Sequence, residues 1–126
     1  MSEEVAEFLK EFYPGLYGKM ASEAFIREPA KYNTKVLGRQ VVKGVMCYED
    51  TSFNDVSIKL LAGDLQSLRR LIEPVKPCRL SIKVPESLSD YVNNLSTIGF
   101  KLIAKDYSNS LNEYLLVLSY SGDTHG

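Results

Sequence analysis

Residues 79–120 constrain the fold of this chain more than any other stretch. They contain the alternating run RLSIKV, an amphipathic segment that ends in Gly99-Phe100, and two further strand-like runs, KLIAKDY and EYLLVLSY. Leu80, Ile82 and Val84 alternate with polar residues at the period of a half-buried strand. A strand, a helix and two more strands in this order predict a compact α/β unit, in which helices cover a sheet.

The helix of this stretch carries predicted signals at both ends. Ser87 and Asp90 resemble a capping box at its start. Gly99 stands where a helix takes a left-handed terminal residue, and Phe100 follows it. Between them, apolar residues recur at helical spacing and predict one buried stripe: Leu88, Tyr91, Val92, Leu95 and Ile98.

The first half of the chain supplies the other predicted elements. Two helices are predicted, from Ser2 to the Pro14-Gly15 break and from Leu16 to about Arg27. A hairpin turn is predicted at Leu37–Gln40, and the strand Val41–Tyr48 follows it. A third strand begins at Asp55 and leads into a short helix.

The predicted order is therefore α-α-β-β-β-α-β-α-β-β. It describes an α/β (α+β) fold with a single mixed, mainly antiparallel sheet flanked by helices. We expect one domain over residues 1–120 and a flexible tail over 121–126, which contains the single histidine, His125.

Composition excludes few classes of function. Net charge is −1, with 44% hydrophobic and 25% charged residues, as in a soluble globular protein without a global basic field for nucleic acid. Cys47 and Cys78 lack metal-type spacing and predict reduced thiols, with Cys47 as a small core residue. The acidic N-terminus lacks an apolar signal core, so we expect a cytoplasmic protein. With one histidine in the tail, neither a Cys/His dyad, a Ser-His-Asp triad nor a metal site is expected.

The order of elements over residues 31–120 resembles the GCN5-related N-acetyltransferase (GNAT) superfamily. LGRQVVKGVMCY looks like that family's hairpin and strand, and YVNNLSTIGFKLIAKDY looks like its helix exit at Gly-Phe. The resemblance implies an acyl-CoA N-acyltransferase-like fold and acetyl transfer from acetyl-CoA to a small-molecule or peptide amine. If the chain binds this cofactor, the strands around 56–61 and 79–84 must diverge and leave a cleft at Gly63.

The resemblance places the cofactor at the loop that opens the third helix. The implied cofactor-binding residues are those of the loop and two arginines of the helix: Ala62, Gly63, Asp64, Leu65, Arg69 and Arg70. Arginine suits phosphate recognition because its planar fork bonds bidentately. The alternative is that the arginines lie on the exposed face of an amphipathic helix, and that Asp64 is the helix N-cap.

Three residues are candidates for the chemistry. Glu49 or Asp55, near strand ends, would deprotonate the amine, and Tyr91 would act as general acid. The alternatives are a solvated turn for the carboxylates and a core tyrosine with its hydroxyl at the rim for Tyr91.

Three function classes therefore stay open at this stage. The first is an N-acetyltransferase-like enzyme, and the second is a non-catalytic domain of the same fold for ligand binding or protein association. The third is an unrelated α/β module with a ferredoxin-like fold. A homodimer built on the hairpin Tyr114–Tyr120 is a further alternative, whereas stacking of nucleic acid on Lys101, Lys105 and Tyr107 is a minor one.

Overall fold

A computed structural model of the chain describes residues 2–28 and 30–121. The expected tail lies outside them apart from Ser121, and so does His125. The elements are α1 (Ser2–Phe12), α2 (Leu16–Arg27), β1 (Asn33–Leu37), β2 (Gly44–Ser52), β3 (Asp55–Gly63), α3 (Leu65–Ile72), β4 (Arg79–Pro85), α4 (Ser89–Thr97), β5 (Lys101–Ser108) and β6 (Glu113–Tyr120). The predicted order of elements is confirmed.

The strands form one six-stranded sheet in the order β1-β2-β3-β4-β6-β5. Only β3 and β4 are parallel, and every other neighbouring pair is antiparallel. The crossover between the parallel strands is the segment that contains α3, as a parallel connection requires. The prediction of a mixed, mainly antiparallel sheet is therefore confirmed.

Helices cover both faces of the sheet. Cys47 lies under α2, whereas the backbone of Gly44 lies against Leu71 of α3. Residues 44 and 47 of one strand point to opposite faces because side chains alternate along a strand. Consecutive buried residues in the central strands reflect this double cover: Val45, Met46 and Cys47 in β2, and Leu60, Leu61 and Ala62 in β3.

The loop of the first hairpin, between β1 and β2, is longer than the sequence predicts. The predicted strand Val41–Tyr48 begins instead at Gly44, which pairs with Leu37. Lys43 N–H donates to the Leu37 carbonyl at 2.8 Å and closes the loop, while Val41 is 69% exposed. Two adjacent valines, Val41 and Val42, suggested a strand, but both lie in a wide loop that ends before the first paired residue of β2.

The two signals predicted for α4 have different outcomes. Gly99 has φ +118°, and Phe100 N–H donates to the Leu95 carbonyl at 3.0 Å, so the predicted Gly-Phe helix end is confirmed. The capping box is wrong. α4 begins at Ser89, and Ser87 instead donates its backbone N–H and its hydroxyl to the carboxylate of Glu113, each at 3.0 Å. The longer-range bond to β6 replaces the local cap.

Among residues 2–28 and 30–121, we find neither a helix long and apolar enough to cross a membrane nor a metal-binding cluster of His, Cys, Asp or Glu.

Candidate functional site

The parallel strands β3 and β4 pair over only part of their length. Four residue pairs, from Asp55–Arg79 to Ile58–Ile82, hold them together. Beyond these pairs β3 continues to Gly63 and β4 to Pro85 without pairing to each other. The strands therefore diverge and leave a gap between their carboxyl ends, as cofactor binding would require.

A bulge in β3 coincides with the point of divergence. Cys47 of β2 pairs with Leu60 and Tyr48 pairs with Ile58, so Lys59 is an extra residue on β3. A bulge bends the strand that carries it and re-aims the side chain of the inserted residue. The bend accounts for the end of β3–β4 pairing at Ile58.

Two tyrosines fill the gap. Tyr13, just after α1, donates its hydroxyl to the Leu61 carbonyl oxygen at 2.5 Å. Tyr91 of α4 donates to the same oxygen, and the two hydroxyl oxygens are 3.0 Å apart. A buried carbonyl without a partner costs about 1–3 kcal/mol. The pair therefore satisfies a backbone group that β4 would satisfy in a fully paired sheet.

The tyrosine pair belongs to a larger aromatic cluster. The ring of Tyr13 meets those of Phe12, Tyr17 and Tyr91 edge to face, with centroids 4.8, 4.8 and 5.2 Å apart. Burial raises the pKa of Tyr13 and of Tyr91 well above the ordinary value, and it raises the pKa of Tyr17 to about 12. These phenols stay protonated at neutral pH and act as hydrogen-bond donors.

Removing both hydroxyls is expected to cost more than the sum of the single losses. Tyr13→Phe and Tyr91→Phe each leave the Leu61 carbonyl with one donor, so each is expected to lower the free energy of unfolding by about 1 kcal/mol. The double variant leaves the carbonyl unpaired, with an additional loss of about 1–2 kcal/mol. Urea denaturation of the four proteins gives this coupling directly. Strictly additive losses would mean that the two tyrosines do not share the carbonyl.

The loop that opens α3 is tight and negatively charged. Asp64 is the N-cap, as predicted, and its carboxylate accepts the Ser67 backbone N–H at 2.8 Å. This hydrogen bond lowers the pKa of Asp64, so the carboxylate is ionised at neutral pH. Gly63 has φ +149°, and a Cβ there would meet the Ser67 Cβ at 2.8 Å. A phosphate group approaching this helix end meets the negative charge of Asp64, which already accepts the Ser67 N–H.

The other predicted cofactor residues are dispersed around this loop. Ala62 is buried in β3 and Leu65 is half-buried at the start of α3. Arg69 and Arg70 are exposed and lie in the last turn of α3, about 8 Å along the helix from Asp64. The structure therefore brings Ala62–Leu65 together and places the arginines at the far end of the helix.

The three predicted catalytic residues are not brought together. Asp55 lies at the start of β3, where its carboxylate accepts from the Ser52 hydroxyl at 2.6 Å and from Arg79 Nε at 3.0 Å. The bond from Ser52, with the charge of Arg79, lowers the pKa of Asp55. Glu49 is exposed on β2 opposite Ser57. Tyr91 contacts Leu61, which is about 20 Å along β3 from Asp55.

An open cleft lies outside the tyrosine pair. Its volume is about 350 Å³, and its walls come from the turn after α1 and from the β4–α4 connection. Tyr13 and Tyr91 form part of its lining, together with Pro14, Leu88 and Asn94. The tyrosine pair that fills the gap between β3 and β4 thus forms one wall of this cleft.

A second cavity, of about 320 Å³, lies between α2 and the sheet. Apolar side chains form most of its wall: Met20, Ala21, Phe25, Leu60 and Leu111. Cys47 and Thr34 lie in it as well, with 3.6 Å between the Cys47 Sγ and the Thr34 hydroxyl oxygen. Burial raises the pKa of the Cys47 thiol, so this part of the wall is neutral.

Charged side chains gather around Tyr32 at this cavity. The ammonium of Lys31 lies 5.4 Å and that of Lys59 5.8 Å from the centroid of the Tyr32 ring. Glu28 pairs with Lys31 at 3.8 Å. Within residues 2–28 and 30–121, no carboxylate pairs with Lys59.

Sequence reasoning missed this cavity. The signal in α2 is weak, because Ala21 and Ala24 only indicate a thin helix face toward the sheet. The position of Lys59 gives no signal at all. Strict alternation along β3 places Lys59 and Leu60 on opposite faces, and the bulge that brings both to the cavity is a feature of pairing with β2.

The arrangement has clear counterparts among solved structures. The ribosomal-protein-S18-alanine N-acetyltransferase from Escherichia coli matches with a TM-score of 0.69 and 11% identity, over 100% of this chain and 92% of that one. An aminoglycoside 6'-acetyltransferase type Ii matches at 0.72 and 10%, over 95% and 88%. The PaiA N-acetyltransferase from Thermoplasma acidophilum, in complex with coenzyme A, matches at 0.63 and 11%, over 95% and 92%.

The chain has a GNAT-like fold, which confirms the resemblance at the level of architecture. At identities of 10–11% the likeness establishes the fold alone. No protein-family model matches the sequence, and neither does any curated protein.

Proposed function

We propose that this chain is a GNAT-like domain that binds a ligand and does not transfer acetyl groups. The observation that carries the proposal is the filled gap between β3 and β4. Tyr13 and Tyr91 occupy it and donate to the Leu61 carbonyl, an acceptor that a ligand inserted there would need.

The charge at α3 supports the same proposal. The ionised carboxylate of Asp64 occupies the N-terminus of α3, where a pyrophosphate would otherwise accept from backbone N–H groups. An anion at that position would face repulsion from Asp64 without help from Arg69 and Arg70, which lie in the last turn. Both parts of a CoA thioester therefore meet obstacles, one at the gap and one at the helix end.

Acetyl transfer from acetyl-CoA to an amine is the second candidate. The divergence of β3 and β4 favours it, together with the cleft of about 350 Å³ beside the tyrosine pair. In this alternative Tyr13 and Tyr91 would have to leave the Leu61 carbonyl when the cofactor enters. Glu49, Asp55 and Tyr91 would then need a substrate that spans about 20 Å along β3.

Acetyl-CoA and CoA are expected to leave the melting temperature of the wild-type protein unchanged at millimolar concentration. A ligand at a hundred times its dissociation constant stabilises a native protein by about 2.7 kcal/mol, which a thermal-shift measurement resolves. The T. acidophilum PaiA protein with CoA provides the positive control. A clear shift for the wild-type chain, or acetylation of an amine or peptide by it, would overturn the proposal in favour of the second candidate.

A paired variant tests the role of the tyrosines in this result. Tyr91→Ala removes one side chain from the gap, whereas Leu95→Ala removes a fully buried side chain one turn later on α4. Both lose core packing, but only Tyr91→Ala opens the space at Leu61. Binding of acetyl-CoA gained by Tyr91→Ala alone would support closure of the gap by Tyr91.

We also propose that the protein works in the cytoplasm. Cys47 and Cys78 are both free thiols, which suits a reducing compartment.

A further inference from the structure

We infer that the cavity between α2 and the sheet binds a small apolar carboxylate, whose anionic group pairs with Lys59. This inference rests on the proposed function, because it names the ligand class of the binding domain. It concerns the cavity under α2 and not the gap between β3 and β4, so separate measurements test the inference and the proposed function.

The wall of the cavity selects the body of the ligand. Met20, Ala21 and Phe25 of α2 face Leu60 of β3 across it, and Leu111 adds a further apolar side chain. A volume of about 320 Å³ is at the small end of the range for ligand pockets, which suits a short alkyl chain or a single ring. Burial of such a body supplies roughly 25 cal/mol for each Å² of apolar surface removed from water.

The charges at the cavity select the head group. Glu28 already partners Lys31, whereas the described residues leave Lys59 with the Tyr32 ring as its contact. The three charged groups sum to +1. A carboxylate placed beside Lys59 therefore gains a charge-assisted hydrogen bond. An ammonium in the same place would meet two lysines and one glutamate that is already paired.

The bulge in β3 makes this arrangement possible. With regular alternation Lys59 would point away from the face that Leu60 covers. The inserted position turns Lys59 toward the same cavity as Leu60, so one strand supplies both the apolar wall and the cation. Tyr17 and Cys47 also line the cavity, and both are neutral at pH 7 because burial raises the pKa of each.

Octanoate is the probe, with 1-octanol and octylamine as neutral and cationic controls of equal chain length. Calorimetric titration of the full chain is expected to show binding in the order octanoate, octanol, octylamine. Lys59→Met keeps the length of the side chain and removes its charge, so it is expected to weaken octanoate about tenfold and to leave octanol unchanged. Lys19→Met, on the same helix that forms the cavity wall but outside its lining, is expected to change neither.

Two further variants locate the ligand. Ala21→Phe fills the cavity without changing its charge and is expected to abolish octanoate binding, with its fold checked by circular dichroism. Tyr91→Phe changes a side chain that does not line the cavity and is expected to leave octanoate binding intact. The inference is overturned if octanoate does not bind at millimolar concentration, if octylamine binds more tightly, or if Lys59→Met binds octanoate as the wild type does. If the wild-type protein binds both acetyl-CoA and octanoate, only the proposed function is overturned and the inference about the cavity holds.

Discussion

Gly18→Ala is expected to destabilise the protein by about 3 kcal/mol or more. A Cβ at Gly18 would lie 1.8 Å from the carbonyl oxygen of Tyr13 and 3.2 Å from that of Lys10. Both obstacles are backbone atoms of the α1 end, so no side-chain rotation relieves the overlap. Forcing backbone apart in a packed region costs about 1–3 kcal/mol and more in severe cases.

The measurement is urea or thermal unfolding, with Gly15→Ala as the matched control. Gly15 is three residues earlier and has φ +76°, but no atom lies within 4 Å of an added Cβ. Its replacement is expected to cost only the backbone strain of an alanine held at φ +76° and ψ −150°, about 1–3 kcal/mol. If Gly15→Ala destabilises the protein more than Gly18→Ala, the end of α1 does not lie as close to Gly18 as described above.

Gly18→Ala is also expected to disturb both the gap between β3 and β4 and the cavity between α2 and the sheet. Gly18 lets the first turn of α2 lie against the end of α1, next to Tyr13, which carries a hydroxyl into the gap. One residue before Gly18, Tyr17 lines the cavity under α2 and packs on the Tyr13 ring at 4.8 Å. Displacing α2 therefore moves the gap filler and the cavity wall together.

Sequence patterns predicted the features whose causes are local. Gly99-Phe100 marks a helix end because the groups involved are close in sequence. Gly99 has a positive φ, and the N–H of Phe100 donates to the Leu95 carbonyl in the preceding turn. Asp64 is readable as an N-cap for the same reason, since its partner is Ser67. Ser87 illustrates the limit. Its local partner was expected at Asp90, and a carboxylate 26 positions away, that of Glu113, takes the hydrogen bonds instead.

The filling of the gap between β3 and β4 depends on contacts between residues that are far apart in the sequence. Tyr13 meets the Leu61 carbonyl across 48 positions and the Tyr91 hydroxyl across 78. No period in the sequence of α1 or α4 encodes either meeting. They follow from the bulge at Lys59, which ends β3–β4 pairing and leaves a carbonyl that needs donors. The sequence therefore predicts the scaffold, whereas the filling of its gap is decided by tertiary packing.

Alkaline pH is expected to unfold the protein through its buried tyrosines. In the unfolded chain each phenol titrates near its ordinary pKa of 10.0, whereas burial raises the pKa of Tyr13, Tyr17 and Tyr91 in the folded state, that of Tyr17 to about 12. Above pH 10 the unfolded state therefore binds fewer protons than the native state, and stability falls as pH rises. The contribution is fully present below pH 10 and is lost through the folded pKa values.

The slope of the free energy of unfolding against pH depends on the number of buried phenols that titrate. Each buried tyrosine contributes about 1.4 kcal/mol per pH unit, so the three together give about 4 kcal/mol per unit above roughly pH 10.5. Burial also raises the pKa of Cys47 above its ordinary value of 9.0, which adds a shallower decline in stability above that pH. Urea unfolding at intervals between pH 8 and pH 11.5 measures both parts of the curve.

Two variants of the aromatic cluster separate titration from packing. Tyr17→Phe removes one phenol and is expected to reduce the slope above pH 10.5 by about a third. Phe12→Leu perturbs the same cluster, because the Phe12 ring lies 4.8 Å from that of Tyr13 and 5.7 Å from that of Tyr91, but it removes no titrating group. It is expected to lower stability equally at every pH with an unchanged slope. A stability curve that stays flat from pH 10 to 11.5 would mean that water reaches these hydroxyls, and that the gap between β3 and β4 stands open in solution.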